Sequence, residues 1–156
     1  MVSKVSKQQI DFRLTALTEA TEWLNSRSSA HQVKGHPTLV HFWSISSEAA
    51  KTNLAQVAEL REQRKREGLR VVAVHVPQSE AEKDPRLVRD AINRLNLTEP
   101  CALDNHLRIS KGLEDPPAYL LFDPEGSLRS SGSKLEVIED QLDELVAELR
   151  NQNPFC

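Results

Sequence analysis

The chain has 156 residues, of which 38% are hydrophobic and 28% are charged, and its formal net charge is -3. This composition predicts one soluble globular domain with a single core, and it excludes a disordered chain or one built mainly of membrane spans. The most basic stretch, residues 61–70, also contains Glu62 and Glu67, so we interpret it as a solvated helix face and not as a nucleic-acid surface.

Cysteine occurs only at positions 101 and 156. Two cysteines so far apart do not make the framework of a disulfide-rich secreted domain, and we expect Cys101 and Cys156 to stay unpaired. No apolar run follows the N-terminal lysines, so we expect no secretory signal and no membrane anchor. The predicted location is therefore cytoplasmic, unless a signal has been removed from this sequence.

The first half of the chain predicts a strand, a helix and a second strand. Residues 1–36 are mostly polar and predict an irregular lead-in that belongs to the main domain, residues 37–150. The largely apolar run at residues 39–43, which contains His41, is typical of a strand buried on both faces. A helix is expected over residues 47–67, and the valine-rich stretch 69–76 predicts a second buried strand. Two strands joined by such a helix are expected to be parallel neighbours.

The next stretch predicts a second helix and a third strand. Pro85 is typical of a helix start, and apolar residues follow it at helical spacing. These residues are Leu87, Val88, Ala91, Ile92 and Leu95. A short strand at residues 101–103 and a short helical segment around residues 107–112 are expected after it.

The end of the chain predicts a hairpin and a last helix. Residues 118–122 and 127–131 are expected to be strands around a turn at residues 123–126. A strongly periodic helix follows, before a tail at residues 151–156. Strands that alternate with helices and end in an antiparallel hairpin predict an α/β fold: a central mixed sheet of parallel strands plus that hairpin, flanked by helices on both sides.

One segment carries a resemblance to a known family. Residues 36–46, HPTLVHFWSIS, resemble the strand that leads into the active site of thioredoxin-like proteins. In that family the first cysteine of a CxxC motif comes four residues after the tryptophan. Ser47 and Ala50 stand at the two cysteine positions of this chain, with Glu48 and Ala49 between them.

A second segment supports the first. Residues 115–126 resemble the proline-centred loop, strand and turn of the same family, and Pro117 matches the family's cis-proline. Residues 73–77, AVHVP, resemble a strand of TlpA-like bacterial thiol-disulfide oxidoreductases. The resemblance runs from about Thr38 to Leu149 and implies the thioredoxin-like fold.

The resemblance also implies roles for individual residues. The catalytic positions are Ser47, Ala50 and Pro117, and the implied substrate contacts are Trp43, Glu48, Ala49 and Pro116. It implies no metal and no cofactor, and its partners would be proteins or peptides with disulfides or extended segments. We expect neither nucleic acid nor a membrane as a partner, and we expect Pro117 to be cis and to lie opposite Ser47.

The residues at positions 47 and 50 decide the chemistry. Thiol-disulfide exchange needs a thiolate that attacks a disulfide and a second thiol that resolves the mixed disulfide. Ser47 is predicted instead to cap a helix N-terminus, and Ala50 has no reactive group. His41 is interpreted as a hydrogen-bonded core histidine in preference to a general base, and Cys101 as a packing residue.

Two interpretations stay open. In the first, the chain is a redox-inactive member derived from an active parent, because serine and alanine are the usual replacements for removing a thiol. In the second, it is a naturally redox-dead module that binds a peptide or protein. Ala55 stands where the family often has proline, which favours an older loss, and Asn53 replaces a glutamate of some cytochrome-maturation members, so that specialised role is not supported.

Overall fold

The computed structural model describes residues 12–28, 33–111, 113 and 119–152. These residues form a six-stranded sheet in the order β1-β4-β3-β2-β5-β6. Its strands are β1 (Glu22–Leu24), β2 (Thr38–Trp43), β3 (Arg70–His75), β4 (Cys101–Leu103), β5 (Tyr119–Phe122) and β6 (Leu128–Gly132). The three central strands β2, β3 and β4 are parallel, whereas β1, β5 and β6 run antiparallel to their neighbours. The predicted mixed sheet is confirmed.

Helices connect and cover these strands. The α-helices are α1 (Glu48–Gln63), α2 (Pro85–Leu95) and α3 (Leu135–Gln152). Short 3-10 helices lie at Leu14–Glu19, Lys65–Glu67 and Ala81–Lys83. No helix in the described ranges combines the length and the apolarity needed to cross a bilayer.

The two faces of the sheet are covered differently. Side chains alternate between the faces along each strand. On one face Val40 and Val72 share a cluster with Leu14 and Leu17 of the first 3-10 helix. On the other face the clusters contain the apolar residues of α1, α2 and α3. Helices therefore flank both faces as expected, but the α-helices among the described residues all pack on one of them.

The lead-in is more ordered than its polar composition suggests. Residues 1–36 were expected to be irregular, yet the 3-10 helix and β1 both fall within them. Trp23 of β1 lies opposite Ala102 of β4, and Leu24 is buried. A strand of three residues carries almost no period-two signal, and it forms because an edge of the sheet is available for pairing.

Two further expectations need correction. No helix forms in the described part of residues 107–112, because the buried carboxylate of Asp104 accepts hydrogen bonds from the Ile109 and Ser110 amides at 2.8 and 3.0 Å and so holds this segment as turns. Leu87 was placed on the apolar stripe of α2, but it is 44% exposed. The stripe that packs consists of Val88, Ala91 and Ile92.

A buried ion cluster links the sheet to α1. The His41 ring on β2 donates from Nε2 to a Glu99 carboxylate oxygen at 2.6 Å, and the Arg61 guanidinium on α1 contacts the other oxygen at 2.5 Å. The side chains of His41 and Glu99 are each 3% exposed. Burial alone would raise the pKa of Glu99, but the hydrogen bond and charge of His41, together with the charge of Arg61, hold it below its ordinary value.

We predict that Glu99→Ala lowers the free energy of unfolding by about 3 kcal/mol, because it leaves Arg61 and His41 without their buried acceptor. Asp143→Ala is the matched control. It removes an exposed carboxylate that pairs with Arg64, the residue directly after α1, and it should cost less than about 1 kcal/mol. Urea denaturation at neutral pH measures both, and equal losses would contradict the role assigned to Glu99.

Candidate functional site

Ser47 lies where the central strand β2 passes into α1. The strand ends at Trp43, the Ser47 amide donates to the Ser44 carbonyl at 3.3 Å, and α1 begins at Glu48. Ser47 thus occupies the N-cap position of α1. The first amide groups of a helix and its dipole make this end positive, so an anion at position 47 would be stabilised there. We name residues 44–47 the site loop.

Two buried aromatic rings lie beneath the site loop. Trp43 and His75 are directly opposite each other in the parallel pairing of β2 with β3. Their ring centroids are 4.9 Å apart in an edge-to-face arrangement, and the side chains are 4% and 0% exposed. The Val76 amide donates to the Trp43 carbonyl at 2.9 Å, which extends the pairing by one step past His75.

His75 contacts the site loop directly. The Ile45 amide donates to Nε2 of His75 at 3.4 Å, a long hydrogen bond. An oxygen of Glu82 is 3.5 Å from the same nitrogen, while Nδ1 is buried with no hydrogen-bond partner among the described residues. Burial lowers the pKa of His75 from 6.5 to about 4, and the negative charge of Glu82 opposes this shift in part. The ring is therefore neutral near pH 7.

The residues predicted for the site are only partly within the described chain. Glu48 is exposed in the first turn of α1, and the helical backbone continues through Ala49 and Ala50. Pro116 and Pro117 lie outside the described residues, so the cis bond expected at Pro117 stays a prediction. The structure brings Trp43, Ser47, Glu48, Ala49 and Ala50 together at one end of the sheet.

Trp43 does not present its ring at the surface. At 4% exposure the indole is a packing residue. The substrate contact implied for Trp43 stays a prediction.

Sequence reasoning did not assign a role to His75 or Glu82. His75 was noted only as part of the AVHVP strand, and Glu82 belongs to a charged segment with no apolar periodicity. The available signal was a histidine at the carboxyl end of a buried parallel strand, at the end of the sheet where the site was expected. Glu82 gave no comparable signal, since its contact with His75 depends on the 3-10 turn at Ala81–Lys83.

Two other candidate groups are confirmed as structural. His41 is the predicted hydrogen-bonded core histidine, because its ring is engaged with Glu99. Cys101 is a free, fully buried thiol, and burial raises its pKa to about 12. A thiol with that pKa is neither a nucleophile nor a resolving group near neutral pH.

Comparison with known proteins agrees with this arrangement. Thiol-disulfide oxidoreductase YkuV of Bacillus subtilis (strain 168) is 36% identical over 138 residues, which cover 85% of this chain and 93% of that protein. The chain belongs to the thioredoxin-like thiol-disulfide oxidoreductase family. No protein-family model matches the sequence.

Solved structures show the same fold. The solution structure of a thioredoxin-like protein in the oxidized form superimposes with a TM-score of 0.77 at 32% identity, over 90% of this chain and 98% of that one. StoA from Bacillus subtilis superimposes with a TM-score of 0.57 at 21% identity, over 70% of this chain and 84% of that one. At this lower identity the second likeness concerns the fold alone.

The burial of His75 predicts a loss of stability in mild acid. The unfolded chain binds the proton near pH 6.5 and the folded chain only near pH 4, so stability falls as the pH drops through 6.5 and levels off below about 4. Between pH 7 and 5 the expected loss from this group is about 2 kcal/mol. In His75→Phe this loss of stability between pH 7 and 5 should vanish. The control His106→Gln, which replaces an exposed histidine, should keep the loss. Urea denaturation at several pH values measures the difference, and parallel curves for all three proteins would contradict the assignment.

The burial of Cys101 predicts an unreactive thiol. In a Cys156→Ser background, an alkylating reagent at pH 8 should leave native protein unmodified, because a thiol with a pKa of about 12 is almost wholly protonated there. The same reagent should modify one thiol per chain after denaturation. Mass spectrometry before and after unfolding measures this, and rapid labelling of the native protein would refute it.

Proposed function

We propose that this chain is a thioredoxin-like thiol-disulfide oxidoreductase, derived from an active parent that acts on proteins or peptides, and that it performs no thiol-disulfide exchange with its present residues. The observation that carries the proposal is the placement of Ser47 at the N-cap of α1, at the carboxyl end of β2. In the family this is the place of the attacking cysteine. The chain has cysteines only at positions 101 and 156.

The missing chemistry follows from the atoms present. In exchange, a thiolate bonds to one sulfur of a substrate disulfide and releases the other sulfur as a thiolate. A second thiol then attacks the mixed disulfide, releases the remaining substrate thiol and closes a disulfide in the protein. A serine hydroxyl at position 47 does not ionise near neutral pH, and Ala50 has no sulfur. Cys101 cannot substitute for either, because it is buried and protonated.

The surroundings of position 47 are nevertheless suited to a thiolate. The N-terminus of the 16-residue helix α1 is the positive end of the helix dipole, which lowers a thiol pKa. The His75 ring packs against Trp43 and accepts the Ile45 amide, and neither of these contacts with the site loop involves a sulfur at position 47 or 50. This geometry supports the proposal that position 47 belongs to an exchange site without its reacting sulfur.

A naturally inactive binding module is the second candidate. It is favoured by the continuous course of α1 through Ala55, where a family proline would bend the helix. A module of this kind would bind an extended segment beside the site loop and leave its disulfides unchanged. The two candidates share the same surface and differ in whether a dithiol at positions 47 and 50 still works.

Ser47→Cys combined with Ala50→Cys should create disulfide reductase activity. Placing the first thiol at the helix N-terminus should lower its pKa from about 8.5 toward 7, which raises its thiolate fraction at pH 7 about tenfold. Turbidimetric reduction of insulin with dithiothreitol as electron donor measures the activity, and the chain as it stands should remain at the background rate.

Matched variants test whether position matters and not only the presence of two thiols. Gln56→Cys combined with Glu59→Cys places the same spacing on the exposed middle of α1, and it should stay at background. Ser47→Cys alone, reduced and then mixed with insulin in the absence of dithiothreitol, should form a mixed disulfide that it cannot resolve. A folded double variant at positions 47 and 50 that reduces insulin no faster than the Gln56/Glu59 control would overturn the assignment of the site.

A further inference from the structure

We propose that His75 is a positioning residue that holds the site loop against the end of β3, and that adding a proton to its ring releases the loop. The inference rests on the proposed function only in treating residues 44–47 as the loop that carries the reactive position. It concerns how that loop is held and when it opens. The dithiol itself plays no part in it.

The first line of support is the register of the central strands. His75 is the last residue of β3 and lies opposite Trp43, the last residue of β2. The strand β2 ends at Trp43, so residues 44–47 follow it outside the sheet. Among the contacts that the structure describes, the hydrogen bond from the Ile45 amide to Nε2 of His75 holds this loop.

The second line of support is that Nε2 cannot serve two partners at once. To accept from the Ile45 amide, Nε2 must be unprotonated; to bond the Glu82 carboxylate 3.5 Å away, it must carry a proton. A protonated ring would therefore turn an N–H toward the Ile45 amide, donor against donor. The same proton would pair with Glu82, which is already placed beside it.

The third line of support is the composition of the surroundings. Glu82 is the titratable group near Nε2, at 3.5 Å, whereas the described contacts of His41, Asp104 and Cys101 on the neighbouring segments are with other groups. Glu82 accepts the Gln78 amide at 3.2 Å, and the Asp104 carboxylate is occupied by Ile109 and Ser110. The Cys101 thiol on β4 stays neutral because burial raises its pKa to about 12. Glu82 is thus the charged group positioned to receive a protonated His75.

Burial determines the pH at which Nε2 exchanges the Ile45 amide for the Glu82 carboxylate. Because burial lowers the pKa of His75 to about 4, the loop stays held at neutral pH and opens only in acid. Any change that admits water to the ring, such as a segment that lifts the site loop, would raise that pKa toward 6.5. Loop opening and protonation are therefore linked, and each favours the other.

NMR of the unmodified chain tests the inference without any thiol. The Ile45 amide resonance and the His75 ring resonances should titrate with one common midpoint in acid, well below 6.5. Glu82→Gln should move both midpoints to lower pH, because it removes the charge that favours the protonated ring. An Ile45 amide that does not respond while His75 titrates would overturn the proposal.

Hydrogen exchange of His75→Phe gives a second readout. The phenyl ring keeps an aromatic contact with Trp43 but cannot accept a hydrogen bond, so the Ile45 amide at pH 7 should exchange about five to ten times faster. The amides of Val40 and Val72, inside the paired strands, should keep their protection. Equal protection of Ile45 in both proteins would refute the role. If His75→Phe does not fold, the titration of the unmodified chain and of Glu82→Gln still decides.

These outcomes separate this inference from the proposed function. Activity in the Ser47→Cys, Ala50→Cys protein with an unresponsive Ile45 would reject His75 as the positioning residue and keep the site. An Ile45 that follows His75 in a protein whose dithiol fails would keep the positioning role and reject the site.

Discussion

The parallel pairing of β2 with β3 is the constraint on which the rest of the structure depends. Six residue pairs, from Thr38 with Arg70 to Trp43 with His75, fix the register of two strands buried on both faces. A shift of one residue would send His75 and Trp43 to opposite faces, and every apolar side chain on the moved strand would lose its cluster. The geometry at the site end of the sheet is therefore set by the packing of the core.

The same core accommodates charge in two different ways. Around Glu99 the polar atoms are paired: His41 and Arg61 occupy both carboxylate oxygens, and the cluster links β2, α1 and the residue pair that precedes β4. Around His75 the pairing is incomplete, because Nδ1 has no partner among the described residues and Nε2 faces both an amide and a carboxylate. A complete network favours one arrangement, whereas an incomplete one leaves two arrangements close in energy. The incomplete network is the one beside the site loop.

The sequence was most informative where one local rule and the packing agree. The apolar run that ends at Trp43 and the turn at residues 123–126 both predict their structures from short-range chemistry. Prediction failed where a tertiary contact decides. The strand Glu22–Leu24 depends on an edge supplied by β4, the turns after Asp104 depend on a buried carboxylate, and the exposure of Leu87 depends on which part of the α2 stripe meets the sheet.

The site shows the same division. The position of Ser47 at a helix N-terminus could be predicted, because strand end, helix start and spacing are all local. The partnership of His75 with Ile45 and Glu82 could not, because it joins three separate segments and depends on burial that no residue pattern specifies.

An exchange site can lose its sulfur and keep its shape because the sulfur contributes little to that shape. A disulfide between positions 47 and 50 would close only a very short loop at the start of a helix. Closing so short a loop removes little conformational entropy from the unfolded chain, so it stabilises the fold less than a long loop would. The supports of position 47 are instead the β2–β3 register, the N-terminal turn of α1 and the rings of Trp43 and His75. None of these contains a thiol. Replacing cysteine by serine at the N-cap also leaves a side chain that can pair with the helix amides. On the proposed function, the described supports of position 47 therefore do not depend on whether cysteine or serine stands there.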